Sequence, residues 1–295
     1  ENPLAVKSLH LVKQKSVKKF LKRIAELSNL EELHIESCTM STIPPELWEL
    51  SELKALTLID CGHKLKEYPP EMGQLSSLET LCLGKQSMET LPDALGELTQ
   101  LQSLRTVDLL LTQLPDSLAK LKNLRCLEIL EARLGVLPNS IKELVHLEKL
   151  ALNTRIRGET KPFPDDFFVG FKDLKELSLV NCDMTYFPES IAALDTLEYL
   201  DLSENSFMEV PIGLLKLTQL GTELILRDNK HYGYGTPTNL NQANELKLLI
   251  EKYEIGLEEA TCYFGCLGGY RVTEMNNSTL LGALTQPELP DMIRV

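Results

Sequence analysis

Two places in this 295-residue chain hold residue types that bind metal ions. Cys262 and Cys266 are separated by three residues, a spacing that two zinc thiolates can share. A structural zinc site takes four nitrogen or sulfur ligands, and no histidine lies near this pair. His10 and His34 recur at the same place in two successive short apolar segments. If those segments are neighbouring strands, the rings stand about 5 Å apart, with Glu32 and Glu36 beside them but no third histidine. The seven cysteines are scattered, without the grouped spacing of a disulfide framework, which fits a reducing, cytoplasmic compartment. For a cytosolic protein, the Asn276-Asn277-Ser278 and Asn277-Ser278-Thr279 sequons are chance matches. No Gly-rich phosphate loop, Ser-His-Asp arrangement or His-Glu-x-x-His motif occurs. The residues therefore assign no catalytic group, no metal site and no cofactor, and the expected function is binding, not catalysis.

Composition narrows the classes further. Acidic residues outnumber basic ones 43 to 30, a net charge of −13, which argues against a nucleic-acid surface. No run approaches the roughly 18 apolar residues of a membrane span, and Glu1 to Val17 carry no apolar signal core. Hydrophobic residues make up 43% of the chain, which excludes disorder, and they are regularly spaced.

That spacing is the strongest signal in the sequence. A Leu-x-x-Leu-x-(Leu/Ile) core begins at Leu30, Leu53, Leu78, Leu101, Leu124, Leu147, Leu174 and Leu197, at intervals of 23, 25, 23, 23, 23, 27 and 23 residues. A further unit starts near Leu220, and a degenerate one is visible at Val6, Leu9 and Leu11. In the second half of each full unit a proline (Pro44, Pro69, Pro92, Pro115, Pro138, Pro164, Pro188, Pro211) precedes a short helix-like apolar period such as Leu118 and Leu121. Proline suits the first position of a helix, where its missing N–H costs nothing. Each unit thus reads as a strand, a proline turn and a helical or 3₁₀ return, and stacking buries a continuous leucine ladder. The 27-residue unit places its extra residues at Arg155–Pro162.

The pattern, seen from Leu30 through Cys38 and Pro44 to Leu50, resembles leucine-rich repeat proteins. Within them it is similar to the 23-residue LPxxLxxLxxL subclass of Ras-scaffold-type proteins, plant intracellular receptors and bacterial effectors secreted into host cells. The resemblance covers about three quarters of the chain. It implies an α/β solenoid, a curved horseshoe with a parallel sheet on the concave face and short helices or 3₁₀ turns on the convex face. The position that usually holds a bridging Asn is here Gln14, Cys38, Cys61, Gln86, Leu109, Ala132, Arg155, Cys182, Asn205 and Asn229. Cys can partly substitute as a weak donor. Leu109, Ala132 and Arg155 cannot bridge in the usual way, so the middle of the ladder is expected to be looser. Some repeat effectors carry a Cys-x-Asp ubiquitin-ligase nucleophile after the repeats, and this chain has none there.

Four segments follow: a degenerate repeat or cap over 1–29, repeats over 30–230, a capping helix over 231–255 and a non-repeat tail over 256–295. In the first, Phe20, Leu21, Ile24 and Leu27 are expected on one helical face. Residues 1–23 hold seven basic groups against Glu1 alone, leaving −19 for the rest. The ordinary reading is a solvated helix face; the alternative is a contact for an anionic lipid or acidic partner.

On the concave face, residues alternating with the buried leucines look outward. One column runs His10, His34, Thr57, Cys82, Arg105, Glu128, Ala151, Ser178, Asp201, Ile225; the next runs Val12, Glu36, Ile59, Gly84, Val107, Leu130, Asn153, Val180, Ser203, Arg227. Ile59, Val107, Leu130 and Val180 are large and apolar, with Asp60, Asp108, Glu131, Glu204 and Asp228 as an acidic rim. β-Branched residues suit strands wherever they point, but Leu130 is not β-branched and the positions align. Apolar groups rimmed by charge mark a protein-binding surface. The candidate partner-binding set is Ile59, Arg105, Val107, Glu128, Leu130, Val180, Tyr199 and Asp201. The expected function is a monomeric scaffold docking a protein, for which the resemblance offers a small GTPase, a phosphatase or a ubiquitin-pathway component. It also admits a virulence effector in host cytosol, an effector whose tail acts, or the ligand-sensing fragment of an immune-type receptor.

Overall fold

The computed structural model describes residues 3–14, 17–62, 65, 67–135, 137–154, 163–207, 213–226 and 229, without the side chains of 218 and 219. The segment 155–162, the expected capping helix, the tail with Cys262 and Cys266, and Arg227 and Asp228 of the concave reading lie outside the described residues. Ten parallel strands form one open sheet in sequence order: β1 (Ser8–Val12), β2 (Glu32–Glu36), β3 (Ala55–Ile59), β4 (Thr80–Gln86), β5 (Ser103–Leu109), β6 (Cys126–Ala132), β7 (Lys149–Thr154), β8 (Glu176–Val180), β9 (Tyr199–Asp201) and β10 (Glu223–Ile225). Leu33, Leu56, Leu81, Leu104, Leu127, Leu150, Leu177 and Leu200 stand in register across eight successive strands. Every one of them is fully buried or within 1% of it.

The returns are 3₁₀ turns, among them Pro45–Glu49, Pro70–Gln74, Asp93–Glu97, Asp116–Lys120 and Asn139–Glu143. The repeated proline takes the capping position before each turn rather than the first helical one. Pro44, Pro69, Pro92, Pro115 and Pro138 are extended, with φ from −62° to −73°. The carbonyl of each accepts the first turn bond, from Leu47, Met72, Leu95, Leu118 and Ile141. In the long unit the return is rebuilt in phenylalanine: Phe163, Phe167, Phe168 and Phe171 are buried with ring centroids 5.0–6.1 Å apart.

The bridging column behaves as the residue types dictate. The thiol of Cys38 reaches the carbonyls of Leu11 and Glu36, that of Cys61 those of Ile35 and Ile59, and that of Cys182 those of Leu152 and Val180. Burial pushes the Cys61 and Cys182 thiols up to about 12, which keeps them protonated and able to donate. Gln86 donates to Leu58 and accepts the hydroxyl of buried Tyr68 at 2.8 Å. At Leu109 and Ala132 the strands do not stop short, but pairing of β5 with β6 ends at Val107 with Leu130, and the register of β6 with β7 shifts between Leu130 and Ala132. β4, β5 and β6 are the longest strands, seven residues each, and pairing extends to Gln86 with Leu109 and Ala132 with Thr154. The backbone supplies what the side chains lack, and the buried Thr154 hydroxyl accepts the amide of Leu134.

Near the N-terminus the helix is short. α1 (Val17–Leu21) ends after five residues, and a 3₁₀ turn follows at Ile24–Glu26. Leu21 and Ile24 are buried as expected, Leu27 is half-buried, but Phe20 is 44% exposed. Within the helix the buried pair is Val17 and Leu21, one turn apart, and Phe20 falls off that face.

Immediately before the strands, charges alternate from unit to unit: Lys7, Glu31, Lys54, Glu79, and after Gln102, Arg125, Glu148, Lys175, Glu198. Glu31 pairs with Lys54 at 2.8 Å and Lys7 at 2.6 Å, and Glu148 with Lys175 at 3.0 Å and with Arg125. Hydrogen bonds from Lys54 and then Lys7 hold the Glu31 carboxyl down to about 2, against an ordinary 4.5. A lowered acid stabilises the fold above its unfolded value, and that contribution fades as pH falls from about 4.5 to about 2. An NMR titration of the Glu31 carboxyl should give a midpoint near 2, moving back toward 4.5 in Lys54→Ala or in high salt. A midpoint already near 4.5 in the wild type would show that the pairs do not persist in solution.

Candidate functional site

Register turns the sequence columns into rows on the sheet's open face. Ile59, Gly84, Val107, Leu130, Asn153 and Val180 follow one another across β3 to β8. One residue pair along each strand lies the row His34, Thr57, Cys82, Arg105, Glu128, Ala151, Ser178, Asp201. Strands lie about 4.8 Å apart, so Ile59 to Leu130 spans about 14 Å.

Within that span the apolar row is unbroken. A methyl group on Gly84 would lie 3.5 Å from Ile59 Cγ1 and 3.6 Å from Val107 Cβ, and Gly84 itself is buried. The two side chains therefore converge over the glycine. Ile59, Val107 and Leu130 are each half-buried. Val180 does not join them: Asn153 on β7 intervenes. At the far end, the Tyr199 hydroxyl donates to Asp201 at 3.3 Å, and Asp201 accepts the amide of Ser203 at 2.9 Å and its hydroxyl. That carboxylate shapes its own turn. The eight candidate residues thus divide into a compact group on β3–β6 and a separate group on β8–β9.

The charges in the compact group are spent on one another. Arg105 lies 3.4 Å from Glu128, Glu128 3.2 Å from Lys149, and Lys149 2.9 Å from Glu176. The Glu128 side chain is only 15% exposed between its two cations. Hydrogen bonds from Lys149 to Glu176 and then Glu128 outweigh its partial burial and raise the Lys149 pKa. Lys149 and Glu176 were absent from the sequence-derived set; opposite signs at the same place in successive units are the signal that would have found them. Beyond the apolar row the chain turns out of the sheet through residues with positive φ: Asp60 (54°), Lys85 (55°), Asp108 (50°) and Glu131 (57°). None of these four forms an ion pair among the described residues, and Lys85, Asp108 and Glu131 are exposed.

The two histidines also meet. The His10 and His34 rings are 5.4 Å apart, His34 against Glu36 at 3.2 Å and His10 near Ser8 at 3.4 Å. Among the described residues no group of three or more His, Cys, Asp or Glu is placed to hold a metal ion.

A ten-stranded parallel sheet built from 23-residue units, with leucines in register and 3₁₀ turns behind it, agrees with two comparisons. The sequence profile described as Leucine Rich Repeat matches residues 196–217. The fold matches a leucine-rich repeat protein of Leptospira interrogans (25% identity, TM-score 0.54, covering 82% of this chain and 71% of that one). The chain has the leucine-rich repeat fold. An internalin of Listeria monocytogenes shares the fold at 16% identity, with TM-score 0.56, covering 78% of this chain and 76% of that one. The leucine-rich repeat ectodomain of the Arabidopsis receptor kinase HAESA, solved with an N-terminally extended peptide hormone ligand, matches at 26% identity and TM-score 0.58. That match covers 77% of this chain and 38% of the receptor, so the chain spans little more than a third of its length. No curated protein matches the sequence. Among the described residues, no helix is long and apolar enough to cross a membrane.

Proposed function

We propose that this leucine-rich repeat chain is a non-catalytic scaffold that docks a protein partner on the open face of its sheet, centred on Ile59, Val107 and Leu130. The leucine-rich repeat fold is in general a protein-binding scaffold, and the observation that carries the finer reading is the unbroken apolar row. Three large, half-buried apolar side chains stand in one register row across four strands, with only Gly84 between them. Exposed apolar surface bounded by charge is what a binding core and its rim require. The HAESA ectodomain, solved with a peptide hormone ligand, supports binding of a protein or peptide partner in general. The thiols of Cys38, Cys61 and Cys182 serve as hydrogen-bond donors, a role that oxidation would end, which supports work in a reducing compartment such as the cytoplasm.

Cys82 gives a direct reporter. It is half-buried on the open face, two residues along the strand from Gly84, whereas Cys61 and Cys182 are buried in the core. Burial raises the Cys82 thiol despite the Arg105 charge, so alkylation should be slow at neutral pH and measurable near pH 9. With partner bound, peptide mapping after iodoacetamide should show Cys82 protected several-fold and Cys61 unlabelled throughout. Equal labelling of Cys82 with and without a saturating partner would place the docking surface elsewhere.

A further inference from the structure

Resting on that docking reading, we infer that the occupant is a short extended segment with apolar side chains at alternate positions and an adjoining Lys or Arg facing Asp108 and Glu131. Length comes first. The row spans about 14 Å, and an extended chain advances about 3.4 Å per residue, so four or five residues cover it. Side chains two residues apart in such a segment lie about 6.8 Å apart on one face. That places one over the Ile59–Val107 junction and the next between Val107 and Leu130.

Sign comes from which charges are still free. Along the strand starts, Lys7, Glu31 and Lys54 satisfy one another, as do Arg125, Glu148 and Lys175. Arg105, Glu128, Lys149 and Glu176 do the same on the open face. Asp108 and Glu131, on adjacent strands next to Val107 and Leu130, have no cation among the described residues, and both are exposed. The cation in their own column, Lys85, forms no ion pair with Asp60 or Asp108. Two exposed carboxylates without an ion pair among the described residues, lying directly beside the apolar row, favour a basic neighbour on the partner. Lys85 at the Gly84 end gives the pairing a direction, repelling a basic group there.

The test uses the full chain and two fluorescein-labelled synthetic peptides, Gly-Ile-Ser-Leu-Arg-Arg-Gly and its counterpart with Glu-Glu for Arg-Arg, by fluorescence anisotropy in 50 mM salt. The basic peptide should bind about five-fold or more tightly than the acidic one, the scale expected of two rim ion pairs, with the difference shrinking in 500 mM salt. Asp108→Lys with Glu131→Lys should reverse the preference, and Val107→Asp with Leu130→Asp should weaken both peptides. Absence of binding by either peptide, or a preference that the charge reversal leaves unchanged, overturns the inference while leaving docking intact if a partner still protects Cys82. Binding that ignores Val107→Asp with Leu130→Asp overturns the docking reading itself.

Discussion

Asn205→Leu should lower the stability of the solenoid by about 3–5 kcal/mol, with the loss concentrated around β8 to β10. Asn205 is 3% exposed and makes five hydrogen bonds. Its Oδ1 accepts the amides of Cys182 at 3.0 Å and Met184 at 3.1 Å. Its Nδ2 donates to the carbonyls of Leu179 at 2.7 Å, Leu202 at 2.9 Å and Ser203 at 3.2 Å. Leucine fills nearly the same space, so no large cavity opens. What changes is that two amides and the Leu179 carbonyl are left buried without that partner, at about 1–3 kcal/mol for each unsatisfied group. For a chain of this size each kcal/mol lowers Tm by about 2–4 °C, so a fall of about 10 °C is expected by circular dichroism. Asn205→Cys should fall between, because a thiol donates to the carbonyls as Cys182 does at 3.5 Å but accepts amides poorly. Hydrogen exchange at Cys182 and Met184 should accelerate before exchange at β3 to β6, since solenoid units depend only on their neighbours. A Tm within 2 °C of wild type for Asn205→Leu would show that water or neighbouring backbone replaces the side chain.

The same column shows how far the fold could be read from sequence. Leucines 23 residues apart are legible because each occupies the same site in the next unit, so spacing becomes register without further assumption. The residues at 38, 61, 182 and 205 were legible for the same reason, and their side chains do what their chemistry allows. Leu109 and Ala132 were half legible: the register does shift beside Ala132, but a missing side-chain bond reads as a loss throughout only if the backbone stays as it is elsewhere. Here the strands lengthen instead. Phe20 misled because the stripe was drawn through it, whereas the helix buries Val17 and Leu21 and leaves Phe20 on the exposed side. On the open face the columns were right, but which charges remain free was not legible. That depends on how far Arg105, Lys149 and Lys54 reach across strands. The phenylalanine cluster behind β8 was missed because Phe163, Phe167, Phe168 and Phe171 break the leucine pattern while keeping its burial.

Val107→Asp combined with Leu130→Asp should abolish partner capture, a loss of at least a hundred-fold in affinity, at a cost of only about 2 kcal/mol in stability. Both residues are paired in register on adjacent strands, are only half-buried and lie outside the hydrophobic core. Removing them therefore forfeits about half of the 1.5–3 kcal/mol that full burial of each would supply. The fold keeps Leu104, Leu127 and Ile129 behind them, all fully buried. For binding the balance is reversed. A partner seated on this row must desolvate two new carboxylates in the centre of the interface, beside Asp108 and Glu131, with the Arg105 cation already committed to Glu128. An uncompensated buried charge costs several kcal/mol, and central residues dominate interface energetics. Val180→Asp is the natural contrast. It makes the same chemical change in the same register row, but beyond Asn153 and apart from the compact group. It should weaken capture less than three-fold. If Val180→Asp is as damaging as the double variant, the partner covers the sheet broadly from β3 to β8, and the compact site drawn around Val107 is too small. If the double variant still captures its partner with unchanged affinity, the apolar row is only strand packing, and docking belongs to another face of the solenoid.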